Sequence, residues 1–150
     1  MSKINFLSIF FLSIFLSSCG FHAPYKSSDI NASVNSNENN LFASSLVKRF
    51  KSNSDESFNI NIEDERKTKQ NSSFNSSGTL ARYNLSISVN VEIYNKENVL
   101  LIKEDLKASS YHNALSSTQA DKLQIEEAYS NLRENLIKQL LRRMYRLNED

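Results

Sequence analysis

The side chains able to do chemistry in this sequence are a lone thiol, two imidazoles, two acidic pairs and a scatter of cations. Cys19 is the only cysteine, and residue type alone allows a buried thiol, a nucleophile, a metal ligand or the first residue of a mature chain. A Cys–His nucleophile would need His22 or His112 beside it as base, yet one lies in an expected tether and the other in an expected loop. Asp64-Glu65 and Glu104-Asp105 are sequence neighbours, so on a strand their members point to opposite faces and cannot share a substrate. The reading is therefore of a non-enzyme, with no catalytic residue, no metal ligands and no cofactor. The cations are the stronger candidates, because Arg and Lys are the usual partners of phosphate. Lys67, Lys69, Arg82, Lys103 and Lys107 fall in or beside expected strands, and Lys138, Arg142 and Arg146 recur every fourth residue. The helix macrodipole and the Glu134 to Lys138 spacing are enough to explain that stripe, and mixed charge in the first group also describes a solvated face.

The elements that must position these residues begin after a leader. Met1-Ser2-Lys3 is a short positive start, Ile4 to Leu16 is mostly apolar, and Ser17-Ser18 precede Cys19. This is the layout of a secretory signal, and its apolar core is short of the roughly 20 residues a spanning helix needs. Leu16-Ser17-Ser18-Cys19 resembles the lipobox of bacterial lipoproteins. That resemblance implies removal of residues 1–18 and a diacylglyceryl group plus an N-acyl chain on Cys19, making it a lipid anchor. Each buried methylene contributes about 0.8 kcal/mol, and several chains on one residue hold firmly where one holds marginally. Gly20, in place of Asp, implies by the same resemblance sorting to the outer membrane, on its periplasmic side. Residues 19–28 read as a lipidated tether and residues 29–150 as one domain.

The chain is long enough for one core, with 39% hydrophobic residues, and has no room for a second domain of ordinary size. Its 18 basic and 17 acidic residues nearly cancel, which argues against nucleic acid as partner. Two glycines and one proline cannot write a glycine-rich phosphate loop. Residues 27–40 and 71–77 are rich in Ser and Asn and read as surface loops or tethers; an AT-rich genome would raise Asn in the same way.

Ile30, Ala32 and Val34 give a short strand signal, and Leu41, Phe42, Leu46 and Phe50 predict a helix over about 39–51, capped by Asn37 or Asn39. Phe58, Ile60 and Ile62 alternate with polar residues in a strand that fades into charged DERKTKQ. The strongest signal is Tyr83, Leu85, Ile87, Val89, Val91 and Ile93 against Asn84, Ser86, Ser88, Asn90, Glu92 and Tyr94, an alternation that pins register because a one-residue slip would bury the polar set. After an NKEN turn, Leu100, Ile102, Leu106 and Ala108 share a side; Glu104 interrupts it, so a bulge or an emergence from the core is expected there. A Leu-rich stripe predicts a helix over about 118–147 with Ser117 or Thr118 as cap. The order β-α-β-β-β-α predicts an α+β fold, two helices packed on one face of a mostly antiparallel four-stranded sheet.

With the lipobox Cys19 followed by GFHAPY, then a strand, a helix, a long hairpin carrying ARYNLSISVNVEIY and a Leu/Arg-rich terminal helix, the chain resembles the LPS-assembly lipoprotein LptE family, in particular its shorter, alphaproteobacterial-type members. His22-Ala23 and the Asn/Ser-rich loops depart from the usual pattern. The resemblance implies a partner and plug of the outer-membrane β-barrel LptD that aids barrel assembly and lipopolysaccharide delivery to the outer leaflet. Lipid A phosphates would then suit Lys67, Lys69, Arg82, Lys103 and Lys107. The alternative is an accessory lipoprotein of a lipid-transporting ABC system.

Overall fold

A computed structural model describes residues 30–50 and 57–149. Along them the chain runs β1 (Ala32–Ser36), α1 (Leu41–Val47), β2 (Phe58–Ile62), β3 (Arg66–Phe74), β4 (Leu80–Asn95), β5 (Leu100–Asn113) and α2 (Thr118–Glu149). The leader, Cys19, His22 and the tether lie outside the described residues.

The alternation in β4 organises everything else. Its apolar set from Tyr83 to Ile93 is fully buried at 0–1% exposure, and each such side chain contributes about 1.5–3 kcal/mol on leaving water. On one edge β4 carries β5 over nearly its whole length, from Arg82↔Asn113 to Tyr94↔Leu100. The other edge is shared end to end: β2 pairs antiparallel with residues 91–95 and β3 with residues 80–88. Beyond β2 lies β1, parallel to it from Ala32↔Phe58 to Ser36↔Ile62. Parallel neighbours need a crossover, which the segment containing α1 supplies. Both helices lie on the face bearing the β4 apolar residues, and one cluster joins Phe42, Ala43 and Leu46 of α1 with Ala128, Tyr129, Leu132, Leu136, Ile137, Leu140 and Met144 of α2.

The α+β class and the placement of the helices are as the sequence implies, but the sheet has five strands, not four. The additional one is β3, formed by the RKTKQ part of the charged DERKTKQ run and part of the Ser/Asn stretch read as loop. It continues β2 along the same edge of β4 after a break at residues 63–65. Its residues are largely exposed, and an edge strand of Lys, Gln and Asn resists pairing with other chains.

Local chemistry trims other expectations. Asn40, not Asn37 or Asn39, caps α1, its Oδ1 accepting from Ala43 N at 3.0 Å. Its amide also donates to Glu63 O at 2.9 Å, tying the helix start to the β2–β3 junction. The helix ends at Val47, so Lys48 and Arg49 follow it. Ser117 Oγ accepts from Ala120 N at 3.4 Å to cap α2. The two hairpins use the same turn: Gly78 N donates to Asn75 O, and Asn98 N to Asn95 O. The fourth residue is left-handed in both, φ 79° at Gly78 and 58° at Asn98, a conformation that Gly and Asn tolerate.

Glu104 causes no bulge. It pairs in register with Val91 and stays on the helix side, where Arg143 of α2 neutralises it. The register shift falls between Ile93 and Tyr94, making Leu101 the extra residue and setting Leu100 opposite Tyr94. Leu100 therefore leaves the side it was expected to share with Ile102.

Candidate functional site

The face of the sheet away from the helices is built from the other half of each alternation. Ser33 and Asn35 of β1 stand in register with Asn59 and Asn61 of β2. The Ser33 hydroxyl donates to Asn59, and the Asn35 amide to Asn61 Oδ1 at 3.2 Å. On β4, Asn84, Ser86, Ser88, Asn90, Glu92 and Tyr94 point the same way and are half-buried by their neighbours. Asn90 Nδ2 donates to Glu63 Oε2 at 2.7 Å. The surface is thus a pre-ordered bed of amides and hydroxyls, each able to donate or accept.

Two hollows mark it. One of about 510 Å³ lies over Asn35, Asn61, Asn90, Glu92, Lys103 and Asp105. The other, about 430 Å³, lies over Thr68, Asn84, Ser86, Ser88, Lys107 and Ser109. In the second, Asn84 Oδ1 is buried with no hydrogen-bond partner among the described residues.

Charge on this face is held in local pairs. Lys103 Nζ meets Glu92 Oε1 at 2.7 Å, and the Tyr94 hydroxyl donates to Glu92 Oε2 at 2.7 Å. The hydrogen bond from Lys103, followed by that from Tyr94, holds the Glu92 carboxyl below its ordinary pKa. Reciprocally, the bond to Glu92 raises both Lys103 and Tyr94. Lys107 Nζ meets Asp105 Oδ2 at 2.6 Å. Arg82 lies 5.8 Å from the Tyr111 ring centroid, and Tyr111 is 62% exposed.

The five cations singled out in the sequence do not converge. Arg82, Lys103 and Lys107 stand on the open face, whereas Lys67 and Lys69 of β3 turn to the helix side. Lys67 Nζ lies 5.2 Å from the Tyr129 ring centroid and Lys69 Nζ 4.1 Å from that of Tyr83, arrangements in which the ring quadrupole attracts the cation. Lys69 also approaches Asp121 at 3.5 Å. Asp121 Oδ1 accepts from the Tyr83 hydroxyl at 2.9 Å and from Leu115 N at 3.0 Å.

Sequence reasoning missed Arg133, whose Nε and Nη2 each donate to Glu65 at 2.7 Å in a nearly buried bidentate pair. Its signal was available: Arg133 sits four residues after Tyr129 and four before Ile137, on the apolar stripe itself. Glu134, expected to pair with Lys138, is met by Arg49 at 2.5 Å. His112 lies in β5, not a loop; it stacks on Tyr83 at 6.2 Å and lies 2.8 Å from Ser110 Oγ. Among the described residues no helix is long and apolar enough to cross a membrane, and no cluster of metal-ligating side chains occurs.

Known proteins share the framework of this surface. The rare lipoprotein B from Shewanella oneidensis superposes with a TM-score of 0.67 at 12% identity, over 79% of this chain and 96% of that one. An uncharacterized lipoprotein B from Nitrosomonas europaea gives 0.65 at 18% identity, over 80% and 84%. A putative lipoprotein from Caulobacter crescentus gives 0.57 at 8% identity, over 79% and 92%. At these identities the likeness establishes the fold. No curated protein matches the sequence significantly. Residues 29–144, nearly the whole described domain, match the LptE lipopolysaccharide-assembly family. The chain therefore belongs to the LptE family of non-enzymatic lipopolysaccharide-assembly lipoproteins, which work without a cofactor.

Proposed function

We propose that this protein is an outer-membrane lipoprotein, held on the periplasmic side by lipid on Cys19, that partners and plugs the LPS-export β-barrel LptD and assists delivery of lipopolysaccharide to the outer leaflet. The family match over residues 29–144 carries this reading. The uncovered face of Asn and Ser agrees with it, because the inside of such a barrel is polar and amides can exchange partners with lumen side chains at little cost in desolvation.

Lipid A phosphates meet Arg82, Lys103 and Lys107 from the open face, and Lys67 and Lys69 form a second group on the β3 edge. Lys103 and Lys107 are 72% and 70% exposed at the side chain, so exchanging a carboxylate for a phosphate demands no unfolding. Arg82, Lys103 and Lys107 replaced together by Gln should weaken lipopolysaccharide binding severalfold, and unchanged binding would remove the open-face group from the site.

The partner is tested with a photo-crosslinking residue at Ser88 and tagged protein isolated from membranes in mild detergent. An adduct with an outer-membrane barrel is expected. Recovery with inner-membrane ATPase components instead would favour the accessory lipoprotein of a lipid-transporting ABC system.

A further inference from the structure

Val99, Leu100 and Leu101 are consecutive and 55%, 46% and 38% exposed. They are not a floppy loop. Asn95 Oδ1 accepts from Glu97 N at 3.0 Å and Val99 N at 2.8 Å, and Asn95 N donates to Val99 O at 3.0 Å. The extra residue at Leu101 then turns Leu100 out of the core to stand opposite Tyr94. The turn thus presents an apolar tip on a braced support, where exposed apolar side chains in succession mark a contact.

What lies at that end of the sheet says what the contact is. Ala32 is in register with Phe58, and Phe58 with Asn95. The start of β1 therefore lies level with the β4–β5 turn, two strand spacings from β4, or about 10 Å. Eleven residues from Cys19 to Asp29 precede the described chain and reach at most about 40 Å. The opposite end is the length of β4 away, 16 residues or roughly 50 Å. It also exposes apolar side chains, among them Phe74 and Leu123, but the chain does not enter the domain there.

We infer that in the free lipoprotein, before a barrel encloses the domain, the β4–β5 turn rests in the phospholipid leaflet that holds the acyl chains of Cys19, with Val99, Leu100 and Leu101 inserted at the headgroup boundary. This rests on the reading of Cys19 as a lipid anchor. The acyl chains supply attachment, and the turn supplies orientation, standing β4 and the polar face along the membrane normal. Lys96 and Glu97 cancel within the turn, so the contact is apolar and insensitive to salt, unlike a phosphate site.

The chain contains no tryptophan, which makes Leu100→Trp a unique reporter. Full-length lipidated protein carrying it is reconstituted into vesicles of phosphatidylethanolamine and phosphatidylglycerol, with and without brominated acyl chains. Emission should shift to the blue and fall about twofold with brominated lipid, as expected for a side chain at the acyl boundary, at low and high salt alike. Val99→Trp should behave the same way, and Phe74→Trp at the far end should not respond. Protein that floats with the vesicles while Leu100→Trp and Val99→Trp stay unquenched overturns the inference and leaves the anchor standing. A blue shift that appears only on adding an outer-membrane barrel, without lipid quenching, assigns the tip to a protein partner and overturns it too. Protein that does not float overturns the anchor and the inference together.

Discussion

Asp121 is where single side chains do most to set the relation between helix and sheet. Sitting in the first turn of α2, it receives the Leu115 amide, the Tyr83 hydroxyl and the Lys69 ammonium. The Leu115 amide is the largest cause of its lowered pKa, with Tyr83 and Lys69 adding to it against the opposing effect of burial. Burial, conversely, raises Tyr83. Because the folded-state pKa of Asp121 lies below the unfolded value, the unfolded chain binds the extra proton; the stabilisation is full above the ordinary Asp pKa of about 3.9 and is lost as pH falls through the depressed value. Asp121→Asn should therefore melt lower than the parent at pH 7, with a gap that closes towards pH 3. An unchanged gap across that range in thermal melts would show that the carboxylate charge is not what stabilises the contact. Asp121→Ala removes the acceptor altogether and should cost about 1–3 kcal/mol in urea unfolding, the range for orphaning a partly buried donor.

At the scale of elements, β3 is the strand that composition disguises. Its helix-side positions hold Lys67 and Lys69 where β4 holds Leu and Ile, and the ring faces of Tyr129 and Tyr83 receive them. Just before it, Glu65 locks onto Arg133 through two hydrogen bonds, a second polar bolt between sheet and α2. Arg133→Met leaves the buried Glu65 carboxylate with only Lys67 Nζ at 3.8 Å and should destabilise by about 3–5 kcal/mol, whereas Glu65→Leu with Arg133→Met should recover most of that loss. Chemical denaturation of the two singles and the double checks it; a double variant as unstable as the sum of its singles would mean that packing around residue 133, not the stranded charge, carries the effect. The bulge at Leu101 is the second decision at this scale. By adding one residue to β5 opposite the end of β4 it converts an apolar strand end into an exposed tip, as bulges do when they re-aim a side chain.

For the whole molecule, attachment and fold should be separable. Cys19→Ser should abolish labelling by a fatty-acid probe while circular dichroism of the domain stays unchanged, because the described core already joins the sheet and both helices between Ile30 and Met144. Persistent labelling would refute the anchor. The sequence by itself determined the two faces of β4, the paired strand after it and the long terminal helix, since each is written in local periodicity. It also carried the family resemblance, which the match over residues 29–144 supports. Only the tertiary structure decided that RKTKQ starts a strand, that Glu104 stays on the helix side, that Leu100 turns outward and that the five candidate cations divide between two faces. The physical reason is common to the three that involve charge, Leu100 being turned out by the extra residue in β5 instead. Arg143, Arg133, Tyr129 and Tyr83 lie far along the chain from most of the charges they accommodate, and a charge placed inward reads as solvent-facing until its distant partner is in position.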